Sequence, residues 1–217
     1  MNFMSFMRPK TKQSNNKNNK VYISIGSKCG VKFNIDKYIK NKETQIFDWL
    51  ITDMESVNKI IQTNNISSII NNRNLTIESR GYNYTTKKVT ISSLSKCISF
   101  HDLPERYTNK DINNFITKYI RRYNRLINII KNNKLKIYFI RHGYIDIKQK
   151  NTFIHSVLKI NPNCNFKLVE CSNSPKPNNK NYIFIDFKNF KNNNKKDCWK
   201  LLNYNWNKIF NYINRHN

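Results

Sequence analysis

The densest group of reactive residue types is Gly26-Ser27-Lys28-Cys29-Gly30, directly after the apolar run Val21 to Ile25. Small residues permit a tight strand-to-helix turn. A thiol in the first turn of the following helix meets unpaired N–H groups and a partial positive charge. Both favour thiolate, and Lys28 adds to the effect. The same N–H groups suit an oxyanion beside the sulfur. The chemistry expected of this arrangement is nucleophilic attack on a carbonyl, with Cys29 the most reactive of Cys29, Cys97, Cys164, Cys171 and Cys198. The competing reading is a buried free cysteine, since cysteine is among the most buried residue types.

A thiol nucleophile needs a base that is neutral near pH 7. Of the four histidines, His155 falls inside an amphipathic pattern and His216 in the C-terminal tail. His101 and His142 each end an apolar run. His101 is followed by Asp102, but neighbouring residues on a strand point to opposite faces, so Asp102 orients His101 only where the chain turns. Asp48 is the other candidate orienter. Arg141 has a guanidinium fork suited to a carboxylate or phosphate. Ser27, Lys28, Trp49, Arg141 and His142 are the candidate substrate-binding residues. No cysteine pair has C-x-x-C spacing, so neither a metal nor another cofactor is expected.

The elements that must position these residues follow from periodicity. Val21 to Ile25 reads as a buried strand, and Val31, Ile35, Tyr38 and Ile39 share a helical face. Met54, Val57, Ile60 and Ile61 mark a second helix. Residues 64–95 read as an irregular insertion with a possible hairpin, from β-prone pieces at Leu75–Ile77 and Val89–Ile91 flanking a Tyr-rich turn. Cys97 to Phe100 is a further strand. Ile112 to Ile130 carries the clearest helical repeat, with Lys118, Arg121, Arg122 and Arg125 on its other side, read as a solvated face. Leu135 to Ile140, Phe166 to Val169 and Tyr182 to Phe187 are strands. Helices are marked by Phe153, Ile154, Val157 and Leu158, and by Leu202, Trp206, Ile209, Phe210 and Ile213. Alternating strands and helices predict a single α/β domain over 21–217, with a mostly parallel central sheet flanked by helices. In such sheets ligands bind beyond the carboxyl ends of the strands. That is where this reading puts Cys29, His101-Asp102 and His142.

Composition gives a second account of function. The 217 residues carry 39 Lys+Arg against 13 Asp+Glu, a net charge of +26. Asn, Lys and Ile are abundant and alanine is absent, the signature of A/T-rich codons, so much of the charge reads as compositional drift. A basic surface still attracts polyanions. A non-catalytic protein binding nucleic acid or another polyanion is therefore one alternative. A phosphate- or sugar-nucleotide-binding α/β protein using Arg141 and the Gly26 turn is another. Residues 1–20 read as a disordered basic tail, with no apolar core of a signal peptide. No run is long and apolar enough for a membrane span. An odd cysteine count without a signal predicts an intracellular, reducing compartment, including a host cytoplasm if the gene is viral.

Taken in order, the motifs resemble a family of proteins labelled papain-like cysteine peptidases. The similar features are a strand running into G-S-x-C (Ile23 to Cys29) and an F-D-W box (Phe47-Asp48-Trp49), with Ile46 where the family has Pro. An H-D pair (His101-Asp102) follows, then a K-Y-x-R-R-x-x-R-L helix (Lys118 to Leu126), a strand ending in Arg141, and Trp199 and Trp206 near the C-terminus. The resemblance implies Cys29 as nucleophile and His101 as base, with Asp102 or Asp48 as orienter. A G-S-x-C turn after a first strand also resembles cysteine relatives of the SGNH-type esterases and acyltransferases. Both imply acyl transfer through a thioester, by a hydrolase or an acyltransferase acting on an acyl-type substrate.

Overall fold

The computed structural model describes residues 19–40, 43–192 and 199–216. The expected basic tail falls almost wholly outside them, as does Cys198.

Four strands form a parallel sheet in the order β1 (Lys20–Ser24), β6 (Lys136–His142), β7 (Asn165–Ser172) and β8 (Tyr182–Asp186). The α/β class read from the sequence is the class observed. These strands are apolar on both faces because helices cover both. Alternation sorts β6: Ile137 and Phe139 join one core cluster, Tyr138 and Ile140 the other. The second cluster lies under α1 (Gly30–Ile39) and α5 (Trp206–Arg215), through Val31, Ile35, Trp206, Ile209, Phe210 and Ile213. The first receives α2 (Met54–Gln62), α3 (Asn109–Lys131) and α4 (Ile147–Ile160), through Val57, Ile60, Tyr119, Leu126, Phe153 and Val157.

A second sheet is antiparallel, in the order β2 (Leu50–Thr52), β5 (Cys97–Ser99), β4 (Lys88–Ile91) and β3 (Leu75–Glu78). Two sequence expectations change here. The 64–95 stretch does contain a hairpin, β3–β4, but β4 pairs with β5, so it is built into a sheet rather than set apart as an insertion. Likewise His101-Asp102 leaves this antiparallel sheet, not a carboxyl end of the parallel one. Strand pairing is a long-range choice that a short apolar run does not encode.

The long helix α3 starts at a capping box. Thr108 Oγ1 accepts from Asp111 N, and Asp111 Oδ2 accepts from Thr108 N at 2.8 Å. Its basic side is not a solvated face. Lys118 pairs with Asp102, Arg122 is buried, and Arg125 donates to the Thr44 carbonyl and faces Glu43. Arg121 alone of the four is exposed.

Candidate active site around Cys29

The two sheets are joined at the turn that carries Cys29. His142 N donates to Gly26 O (3.0 Å), Ser27 N to His142 O (3.3 Å) and Thr52 N to Ser27 O (3.2 Å). Buried Arg141 spans the joint, Nη1 donating to Ile25 O (2.8 Å) and Nη2 to Thr52 O (3.1 Å). The sequence suggested that this fork would face an anionic ligand; two of its donors instead clamp the main chain. Burial lowers the Arg141 pKa to about 10, against the opposing pull of Asp53 and Glu170. Gly26 is required twice over. Its φ is +97°, and a Cβ there would overlap Thr52 Oγ1 and Arg141 Nη1.

Cys29 is the N-cap residue of α1, and Phe33 N donates to its carbonyl (3.0 Å). The residue is 8% exposed. Burial pushes the thiol pKa up; a backbone hydrogen bond opposes this, and the carboxylates of Asp102 and Asp48 push it further up. This reverses the expectation that the helix terminus and Lys28 would lower it: Lys28 points to solvent, and burial outweighs the terminal dipole. Burial likewise raises Cys97 to about 12 and Cys164 to about 11.

The two carboxylates that act on Cys29 come from different elements. Asp102 accepts hydrogen bonds from Ser99 Oγ, Lys118 Nζ and, at 2.6 Å, Tyr119 Oη. Burial opposes its ionisation, but Lys118 and these bonds hold its pKa below the usual range. Its oxygens are thus committed to β5 and α3, and they fix the loop that carries His101. Asp48 is 1% exposed; its Oδ2 accepts from Gln45 N (2.7 Å) and lies 3.3 Å from Lys32 Nζ. Burial raises its pKa to about 6, with Lys32, Gln45 and Arg122 resisting. Around it, Asp48 Oδ1, both polar atoms of the Gln45 side chain, and Arg122 Nε and Nη1 are buried without a hydrogen-bond partner among the described residues.

An aromatic chain links α1 to the His101 loop. Phe33 and Trp199 meet edge-on (5.7 Å, 75°), as do Trp199 and Trp49 (6.4 Å, 62°) and Trp49 and His101 (6.2 Å, 78°). The Trp199 carbonyl presses so closely on Gly30 that a Cβ there would overlap it. His101 is exposed at the outer end of this chain. The His142 main chain pairs with Gly26 and Ser27 beside the Cys29 turn, while its ring is stacked on Phe187 (5.3 Å, 26°) and tilted against Tyr204 (6.2 Å). Of the sequence candidates Cys29, Asp48, His101, Asp102, Ser27, Lys28, Trp49, Arg141 and His142, the structure packs Trp49 against His101 and brings the Asp48 and Asp102 carboxylates near enough to Cys29 to act on its thiol. Sequence reasoning missed Lys32, Phe33, Gln45, Lys118, Tyr119 and Arg122. The K-Y-x-R-R spacing of α3 was the available signal, read with the wrong side inward. A cavity of about 870 Å³ between α2, α3 and α4, lined in part by Tyr123, Asn128 and His155, includes none of the candidates. Among the described residues, no three His, Cys, Asp or Glu side chains gather as metal ligands would, and no helix is long and apolar enough to cross a membrane.

The model of a family described as "Putative papain-like cysteine peptidase (DUF1796)" matches residues 20–172. The chain belongs to this family. It is also 28% identical over 222 residues to an uncharacterized protein of Acanthamoeba polyphaga mimivirus, with 88% of this chain and 97% of that protein covered. No solved structure matches. The matched span of the papain-like family contains both sheets' contributions to the site, Cys29, Asp48, Trp49, His101, Asp102 and Arg122, whereas Trp199 lies beyond it.

Proposed function

We propose that this protein is a cysteine-dependent acyl hydrolase or acyltransferase, with Cys29 as nucleophile and His101 as general base. The observation that carries the reading is the convergence of the His101 loop on the α1 N-terminus, through Trp49 and Trp199 to Gly30, the residue after Cys29. A thiol whose pKa is raised by burial rests protonated, so it needs a base at the moment of attack instead of a standing thiolate. In the first step the Cys29 S–H proton passes to the imidazole of His101 while sulfur bonds to the acyl carbon. The bond to the leaving group then breaks, and that group takes the proton. In the second step water or another acceptor gives a proton to His101 and attacks the thioester, and the C–S bond breaks to return the thiol. Amides of the α1 N-terminus are the donors for the oxyanion. Asp102 holds the His101 loop through Ser99, Lys118 and Tyr119, and Asp48 keeps a second carboxyl near the sulfur.

The test is turnover of aryl acyl esters and acyl thioesters together with iodoacetamide labelling across pH 5 to 9. Cys29→Ser is expected to abolish turnover, and His101→Ala to lower it by about 100-fold or more, the usual worth of a positioned base. His142→Ala is expected to do much less, because that ring is packed on Phe187. A His101→Ala profile that tracks the parent in both assays overturns the assignment of the base. Failure of Cys29→Ser to affect turnover overturns the nucleophile.

A further inference from the structure

We propose that Phe33, Trp49, Trp199 and Lys200 form a cradle beside Cys29 for an acyl donor that carries an aromatic ring with a carboxylate next to it. This rests on Cys29 being the nucleophile of the proposed reaction and names the substrate class that its surroundings fit.

The rings are built into place at a cost that core packing does not explain. Trp199 is 49% exposed, so it is not there to fill the interior. The segment that bears it lies against Gly30, where any side chain would collide with the Trp199 carbonyl and with Leu201. Leu201 itself sits at φ +54° and Trp49 at φ +66°, a region that residues with a side chain rarely adopt and that gathers at functional sites. Asn34 Nδ2 pins the arrangement, donating to Gly30 O (2.7 Å) and Lys200 O (2.8 Å). Strained backbone, a glycine contact and a buried amide thus bring two indoles to the end of α1.

The contacts among the rings are edge-on. Phe33 meets Trp199 at 75°, Trp199 meets Trp49 at 62°, and Trp49 meets His101 at 78°. Edge contacts do not cover the ring faces against each other, and an incoming ring packs well against such faces and edges. Charge decides the rest of the ligand. The Lys200 ammonium lies 5.4 Å from the Phe33 ring centre and 5.3 Å from that of Trp199, and exposed Lys28 adjoins Cys29. Of the nearby carboxylates, Asp102 pairs with Lys118, and Oδ2 of buried Asp48 faces Lys32. A carboxylate beside the ligand's ring therefore meets cations at the cradle's rim.

The experiment alkylates the full chain with N-chloroacetyl-tryptophan, its methyl ester and chloroacetamide, reading Cys29 occupancy by mass spectrometry. In each case an S–C bond forms as the C–Cl bond breaks, chloride departs and the thiol proton goes to solvent base. Every rate is divided by the rate on free cysteine. The acid is expected to react about tenfold faster than chloroacetamide on this scale, with the ester between them. Trp199→Ala should bring the ratio to within about twofold of one, and Trp199→Phe should keep most of it. A ratio near one in the parent chain overturns the cradle, as does a tenfold ratio that survives Trp199→Ala. An ester as fast as the acid removes the carboxylate from the proposal. Selective labelling without any acyl turnover would sink the acyl-transfer reading and leave the cradle standing; turnover without selectivity would do the reverse.

Discussion

Two buried carboxylates in this molecule stand in opposite conditions. Glu170, near the carboxyl end of β7 and fully buried, is closed. Oε1 accepts from Ser172 Oγ (2.7 Å) and Lys176 Nζ (3.1 Å), and Oε2 from Lys176 Nζ (2.8 Å) and Tyr182 Oη (2.7 Å). Lys176 also donates to the Ile145 carbonyl and sits 3.9 Å from the Tyr144 ring centre. Asp48 is open: Oδ2 is shared by Gln45 N and Lys32, while Oδ1, the Gln45 amide and two nitrogens of Arg122 have no hydrogen-bond partner among the described residues. Both sites bury charge, which is costly unless every lone pair and donor is used. The closed site pins the chain between β7 and β8 to the parallel sheet. The open one leaves polar capacity on the side of the molecule that holds Cys29. Of the two carboxylates that act on Cys29, Asp102 is saturated like Glu170, and Asp48 is the one that keeps an oxygen without a hydrogen-bond partner among the described residues.

The sharpest way to break this contrast is to empty the closed site. Glu170→Ala leaves the Lys176 ammonium and the Tyr182 hydroxyl without their acceptor, and is expected to cost about 3–5 kcal/mol. Urea unfolding measures it, and a loss below about 1 kcal/mol would show that the four hydrogen bonds hold little.

The open site should announce itself through pH. Burial lifts the Asp48 pKa in the fold to about 6, from an ordinary 3.8. The folded state therefore binds the proton more tightly, so this group's contribution to stability falls as pH rises from about 4 to 6. The full span is worth up to about 3 kcal/mol. Asp48→Asn cannot ionise. Its stability relative to the parent chain should climb across that window and level off above it. Thermal unfolding at matched pH values would show this, and a flat or falling difference would mean that Asp48 ionises readily in the fold.

The smallest effect belongs to an exposed pair that serves as reference. Glu78 and Lys88 face each other across the β3–β4 hairpin at 2.6 Å, with side chains 50% and 36% exposed. Lys88→Ala should cost less than about 1 kcal/mol, and less still at high salt. A loss comparable to that of Glu170→Ala would erase the distinction between buried and exposed charge drawn above.

Much of this protein was local enough to read from the chain. The apolar run before Gly26, the helical repeat of α3 and the strand at Leu135 to Ile140 each depend on neighbours within a few residues, and each lies where periodicity put it. So does Cys29 at the start of α1, because the Gly26-Ser27 turn and the helix after it are encoded in one short stretch. What depended on distant partners was not legible. Nothing in Cys97 to Ser99 says that it pairs with β2 and β4 and not with the parallel sheet. Nothing in Arg141 says that two of its donors go to the carbonyls of Ile25 and Thr52, since a guanidinium fork fits main chain as well as ligand. The basic side of α3 turned inward because Asp102 and the 43–48 turn came to meet it, and burial then raised the thiol that sequence reasoning expected to be lowered. Periodicity and turn chemistry are short-range, and the sequence alone determined the elements through them. Burial and charge pairing are set by residues far apart in the chain, and only the tertiary structure decided which polar groups were closed and which stayed open around Cys29.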